Sequence, residues 1–362
     1  MPELPPPPIM LDRRSLLRRG VALTGGLALA GTFGGLLTAC GDDSETSSSP
    51  ETTAGGSGGS TGGSLTKVAY QLSWLPTVEH AGAYIAKRKG YYEENGIDVD
   101  IVPGGPNVQS AATVASGKAQ IGGTNADAIA SAVLEGAKLK IFAVRMQKSP
   151  YCILSRADNA LKTPQDMIGK KIGVAQSNTT AFQLLLKLND IKESDLTVVP
   201  VQFDPTPVAN GEVDGQIVFA VNEPGQLKLK GVDTNIFLLA DFGYAMFSGC
   251  YFATDDTIKN QKDMLVSFLR AEIKGWEDNL ADPKIGADLT VNDFGKDLGL
   301  DPEHQLWESE ELETLMVTEN TKKNGLLSMD PVDIDNNIKT LAAAGIEIEA
   351  SALFTDEIYA AL

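Results

Sequence analysis

Reactive side chains are scarce in this sequence: of 362 residues, two are histidines and three are cysteines. His80 and His304 stand in no Ser-His-Asp or Cys-His pattern, so nucleophilic catalysis has no visible machinery. Cys40, Cys152 and Cys250 form no CxxC or His-rich cluster, which argues against zinc and iron. The turn Gly104-Gly105-Pro106-Asn107 precedes a helical stretch, and its amides suit a polar or anionic group. It lacks the Lys-Ser/Thr pair of a nucleotide P-loop. The sharpest local signal is noncovalent. Val218-Phe219-Ala220-Val221-Asn222-Glu223-Pro224 carries an amide and a carboxylate out of an apolar strand into a proline-started helix. A carboxylate there accepts N–H bonds from an amine or a heteroaromatic amide; helix capping is an alternative role for Asn222 and not an obvious one for Glu223.

Cys40 has a different chemistry. Asp12-Arg13-Arg14-Ser15-Leu16-Leu17-Arg18-Arg19 is a basic opening, followed by a glycine-rich apolar run over 21–37 and then Leu37-Thr38-Ala39-Cys40. This is the form of a bacterial lipoprotein signal peptide, residues 1–39. The Cys40 thiol would accept a diacylglyceryl group and become the first mature residue. The paired arginines also resemble a twin-arginine export signal, with an ordinary Sec signal as the alternative. The apolar run is short for a span of about 20 residues. Residues 40–65, rich in Ser, Thr and Gly, read as a flexible tether with a reach on the order of 25–30 Å. The expected place is the cell membrane, lipid-anchored and facing the extracytoplasmic side.

The body beyond residue 65 is acidic. Net charge is −18 for the whole chain, and removing 1–39 takes four arginines and two acids, leaving 26 basic against 46 acidic side chains. Such a surface repels nucleic acid and anionic headgroups, so neither is expected as a partner. The body is long enough for one large or two medium domains.

Hydrophobic periodicity predicts strands over 68–72, 97–102, 119–122 and 139–144, with helices over 81–89, 108–116 and 126–134 between them. The alternation restarts with strands at 171–175, 196–201, 215–219 and 235–239 and a helix over 180–188. Strand and helix in turn mean βαβ units and mostly parallel sheets, here in two tandem α/β units. From residue 259 onward helices dominate, over 264–280, 302–321 and 331–344, and they are expected to pack around the first unit.

Several segments in order carry a family resemblance. Leu72-Ser73-Trp74-Leu75-Pro76, then Ala83-Tyr84-Ile85-Ala86-Lys87-Arg88-Lys89-Gly90-Tyr91-Tyr92-Glu93, resembles the opening of ABC-importer solute-binding proteins for thiamine-precursor pyrimidines, riboflavin, alkanesulfonates and nitrate. Ser116-Gly117-Lys118-Ala119-Gln120-Ile121-Gly122, Gly169-Lys170-Lys171-Ile172-Gly173-Val174, Gly211-Glu212-Val213-Asp214-Gly215 and Arg270-Ala271-Glu272-Ile273-Lys274-Gly275-Trp276-Glu277 are similar to later steps of the same family. The resemblance implies an α/β chain of the type II periplasmic-binding-protein fold, two α/β lobes joined by two crossover strands. Lobe 1 would hold 66–150 and 250–362, and lobe 2 would hold 151–249. The crossovers would run through 147–154 and 247–253.

In such a fold the ligand sits at the carboxyl ends of the strands. Trp74 ends the first strand, and its indole either stacks on a flat ligand or covers the core. Glu79 and His80 open the next helix; His80 is read as a ligand contact and Glu79 as compensation of the helix dipole. Asn107 belongs to the Gly104 turn. Asn125, with Asp127, is either a cap or a contact, as are Asn178 and Thr179 in the second unit. Tyr151 and Tyr251 on the crossovers, with Trp74, favour a flat ring. Asn222 and Glu223 face the cleft from lobe 2. Cys152 and Cys250, one on each crossover, are either a disulfide or two reduced, buried thiols.

The expected function is that of a lipid-anchored binding protein that closes on a small heteroaromatic ligand, a thiamine-related pyrimidine or riboflavin, and hands it to an ABC permease. A monomer without cofactor or metal is expected. Sulfonate and nitrate fit less well, because the candidate residues include Glu79, Asp127 and Glu223 and few bases. The same fold family contains thiamine pyrimidine synthases, which consume their own lysine and histidine. Gly122-Gly123-Thr124-Asn125-Ala126-Asp127-Ala128-Ile129, the matching run, has neither, and the cysteine-rich run is reduced to Ser248-Gly249-Cys250-Tyr251-Phe252. A surface lipoprotein with no transport role is the remaining alternative.

Overall fold

The computed structural model describes residues 64–362 except Pro106, and the side chain of Ser177 is also not described. The leader, Cys40 and nearly all of the tether lie outside the described residues. Two five-stranded sheets organise the rest. The first takes β1 (Thr66–Gln71), β2 (Ile97–Val102), β3 (Ile121–Thr124) and β4 (Leu139–Met146). The second takes β5 (Tyr151–Arg156), β6 (Lys171–Ala175), β7 (Thr197–Val201), β8 (Gly215–Phe219) and β9 (Thr234–Leu238). β10 (Ser248–Thr254) returns to the first sheet.

The two sheets repeat one plan. Their orders are β2-β1-β3-β10-β4 and β7-β6-β8-β5-β9. In each, three parallel strands are followed by one antiparallel strand and an edge strand: β10 runs against β3 and β4, and β5 against β8 and β9. The antiparallel member is the first strand formed after the chain changes sheet. Apolar strands such as Ile-Phe-Ala-Val in β4 and Ile217-Val218 in β8 are covered on both faces, as expected where helices flank a sheet.

The late helices start by one device. Asp282-Pro283, Asp301-Pro302 and Asp330-Pro331 each place an aspartate at the cap, where it accepts a first-turn amide, and a proline at the first helical position. The helix expected over 302–321 stops at Met316, and Thr318 caps a separate helix, Glu319–Asn324. Helix Lys262–Ala281 lies directly on helix Ala81–Arg88: a Cβ on Gly275 would fall 2.1 Å from the Gly82 carbonyl. The late helices do not serve the first sheet alone. Leu341, from helix Pro331–Ala343, shares a core with Leu185 and Ile217, and Lys187 Nζ donates to the Ala343 carbonyl at 2.6 Å.

The cysteine pair is not a disulfide. Cys152 and Cys250 are both free and buried. Cys152 lies on β5 between Val218 and Leu238, and Cys250 on β10 between Thr124 and Val144. Each thiol is thus central in a different sheet, where burial pushes its ionisation up.

Candidate functional site

A cavity of about 230 Å³ opens where the carboxyl ends of the parallel strands of both sheets converge. The loop after β1 brings Ser73, Trp74, Thr77 and Glu79; β3 leads to Thr124 and Asn125; β4 brings Arg145 near its end. From the second sheet come Tyr151, Asn178, Phe203, Phe219, Asn222 and Glu223, and helix Pro302–Met316 adds Glu308.

Aromatic rings form its walls. Trp74 meets Phe203 edge-on, with centroids 5.6 Å apart, so one ring from each side closes the mouth. Tyr151 stands edge-on to Phe219 at 4.8 Å. Edge-to-face packing leaves ring faces free to stack on a flat guest.

The floor is ionic. Arg145 is 2% exposed; its Nη2 donates to Glu79 at 3.1 Å, and its Nη1 lies 3.3 Å from His80 Nδ1. Burial first, and the guanidinium second, hold the His80 imidazole well below its usual pKa, so Nδ1 is an acceptor for Arg145. The Arg145 Nε has no partner among the described residues, nor does Thr77 Oγ1. Gly249, at φ +61°, lies so close that a Cβ would come within 2.8 Å of Arg145 Nη2. Only glycine leaves the guanidinium this room while accepting that backbone conformation.

Two more carboxyls sit at the cavity. Glu223 is 4% exposed and takes the Phe219 amide at 3.0 Å. Burial pushes its pKa up to about 7, although that bond opposes the shift. Glu308 takes Gln305 Nε2 at 2.9 Å, and burial, then the charge of Glu79, hold it well above the usual carboxylate range. Burial thus disfavours the ionised form of both acids, whose carboxyl oxygens remain able to pair with the N–H groups of a guest.

The capping roles weighed for the asparagines are not taken up. Asn125 accepts from Ser248 Oγ at 2.6 Å and Asn222 from Gln226 at 3.0 Å, and neither side chain caps its helix. Asn178 donates to the Ile217 carbonyl at 3.3 Å.

Of the residues expected at a ligand, Trp74, Asn125, Tyr151, Asn178, Asn222 and Glu223 line the cavity. Four do not. His80 lies behind Arg145, and Thr179 opens helix Thr179–Leu188 outside the lining. Asn107 is exposed, and the Gly104 and Gly105 amides are bonded to the Trp74 and Ser73 carbonyls at 3.0 and 3.4 Å, so the turn props the Trp74 loop. Tyr251 lies in the core of the first sheet, its hydroxyl on Glu272 at 2.8 Å. Arg145, Phe203 and Glu308 were missed, and Glu79 is a lining residue tied to Arg145. A buried charge near the end of the largely apolar β4 and a polar face on the Pro302 helix were the available signals.

Residues 77–285 match the family model described as NMT1/THI5 like. The chain belongs to the NMT1/THI5-like family. It falls within the superfamily of ABC-importer solute-binding proteins. It is 28% identical over 262 residues to riboflavin-binding protein RibY of Chloroflexus aurantiacus, covering 71% of this chain and 74% of that one. It is 26% identical over 234 residues to the 4-amino-5-hydroxymethyl-2-methylpyrimidine phosphate synthase of Schizosaccharomyces pombe, covering 61% and 67%. A putative sulfonate-binding SsuA from Methylobacillus flagellatus superposes with a TM-score of 0.57 at 16% identity over 82% of this chain and 94% of that one, which establishes the type II periplasmic-binding-protein fold. Among the described residues no helix is long and apolar enough to cross a membrane, and no group of three or more His, Cys, Asp or Glu side chains could hold a metal ion.

Proposed function

We propose that this family member captures a flat nitrogen heterocycle between its lobes and delivers it to an ABC permease, held at the membrane by a lipid on Cys40. The observation that carries this is the pairing of aromatic walls with Glu223 and Glu308, while Glu79 already neutralises Arg145. Rings supply stacking; the acids match N–H groups and ring nitrogens. A sulfonate or nitrate would meet carboxyls and a guanidinium whose charge Glu79 already offsets. The cavity falls below the usual range of about 300–1,000 Å³, which favours a single-ring aminopyrimidine over the three-ring isoalloxazine of riboflavin. Synthase chemistry is not proposed, since the run Gly122 to Ile129 offers neither lysine nor histidine.

The test is a thermal-shift and calorimetric screen of the soluble body from about residue 64, using aminopyrimidines, thiamine, riboflavin, taurine and nitrate. At 100 times Kd a ligand stabilises by about 2.7 kcal/mol. An aminopyrimidine is expected to shift melting in the wild type and to do so far less in Glu223→Gln. A response to taurine or nitrate alone would overturn the reading. Mass spectrometry of the mature protein should find a diacylglyceryl group on Cys40 and none in Cys40→Ser; an unmodified Cys40 would remove the anchor from the proposal.

A further inference from the structure

Helix Pro302–Met316 lies beyond the region that matches the family model, and it is tied to elements of both sheets. Its packing belongs to the first sheet. Leu312 and Leu315 share a core with Tyr70, Val99 and Phe142, Gln305 Oε1 takes the Val78 amide at 2.9 Å, and the Leu315 carbonyl takes the Gln147 amide at 2.9 Å. Its first turns reach the segment that follows β8 of the second sheet. There His304 Nε2 donates to the Asn222 carbonyl at 2.9 Å, and Trp307 sits on Gly225, where a Cβ would lie 2.0 Å from the indole. The Lys228 ammonium stands 6.0 Å from the centre of the same ring, and Val221 is buried in the core that holds Leu312. The segment so held, residues 221–228, is the one that presents Asn222 and Glu223 to the cavity. Glycine costs a helix stability relative to alanine, so Gly225 is explained by the indole that occupies the place of its missing Cβ. The contact is also built to part: Trp307 is half-buried, Lys228 is exposed, and the His304 bond runs to a main-chain carbonyl.

We propose that His304 and Trp307 are positioning residues for ligand capture: they clasp segment 221–228 and hold the Asn222–Glu223 wall in its closed place, so that a bound ligand leaves only when the clasp parts. Neither residue lines the cavity, so the clasp acts through the wall and not through the ligand, and the inference holds for any ligand the cavity takes. The chain passes from the first sheet to the second between β4 and β5 and returns between β9 and β10. A hinge rotation about those two passages would draw segment 221–228 away from the Pro302 helix, as it would part Trp74 from Phe203 at the mouth. A contact made only when the lobes are closed favours that state before a ligand arrives, which tightens apparent binding by removing the cost of populating it.

The first experiment needs no ligand. Small-angle scattering of the soluble body, which packs as one compact unit, is expected to give a larger radius of gyration for Gly225→Ala and for Trp307→Ala than for the wild type, with melting curves establishing that both are folded. Gly225→Ala should add nothing in a Trp307→Ala background, because the indole that its methyl group would strike is gone. The second experiment follows release of a bound aminopyrimidine by stopped flow. Trp307→Ala and His304→Ala should release it about tenfold faster with association no slower, and His304→Gln, which keeps an N–H donor, should stay near the wild type. A contact that only props the fold would lower the melting temperature and leave size and release unchanged. Folded variants as compact as the wild type, a wild type already as expanded as they are, or an unchanged release rate would each overturn the inference. A wild type that binds no aminopyrimidine would overturn the heterocycle reading instead, and scattering alone would then decide the clasp.

Discussion

Two regions of this molecule bury carboxyl groups, and they finish them differently. Against the first sheet, Glu272 is wholly buried, and both its oxygens are used: Tyr92 donates to one and Tyr251 to the other, while Trp276 donates to the Tyr251 hydroxyl at 3.1 Å. Phe268 packs on three of the surrounding rings, Tyr70, Tyr92 and Tyr251. In the cleft, Glu223 and Glu308 are nearly as buried, yet among the described residues no hydroxyl completes them: backbone amides serve Glu223, and Gln305 donates to Glu308. Burial pushes both Glu272 and Glu223 up to about 7, so desolvation alone does not separate them. Completion does. A finished buried acid holds a core together, whereas an unfinished one beside open ring faces holds a place for a guest.

The comparison breaks first at Glu272. Glu272→Ala orphans two tyrosine hydroxyls and opens a cavity, and is expected to cost about 3 kcal/mol of stability or more while leaving Kd within about threefold, read by denaturant unfolding and calorimetry. Loss of binding at unchanged stability would erase the distinction between the regions.

The next effect is on pH dependence. The folded pKa of Glu272, about 7, lies above the unfolded carboxylate value of about 4.3. The native state therefore holds the proton more tightly, its contribution to stability is full below about pH 4.3, and it is lost as pH rises through about 7. Glu272→Gln should flatten the fall in stability between about pH 4.5 and 7.5 by an amount on the order of 3 kcal/mol at most. An unchanged slope in that variant would mean that Glu272 is ionised throughout.

How much of this was legible follows from side-chain direction. The strands and the helices over 81–89 and 126–134 were readable because their periodicity is local, and Asn222-Glu223 because polar groups end an apolar strand. Tyr251 was misread because β10 is central in its sheet, between β3 and β4, so both of its faces are covered and a crossover position does not imply the cleft. Arg145 and Glu308 carried only weak local signals, a charge in a mostly apolar strand and a polar helix face. What ties Arg145 to the site is Glu79, 66 residues away in sequence, and no local spacing reports such a meeting. Of the two states open to the cysteines, the reduced and buried one is found, each thiol in its own sheet.

The most direct test of unfinished acids as a ligand site is the double variant Glu223→Gln/Glu308→Gln, compared with wild type by urea unfolding without ligand and then with a saturating aminopyrimidine. The account predicts ligand-free stability equal to or above wild type, because two buried acids have been replaced by neutral isosteres, together with loss of most of the ligand-induced stabilisation. A double variant that is strongly destabilised without ligand, as Glu272→Ala is expected to be, yet still stabilised normally by the heterocycle, would contradict it.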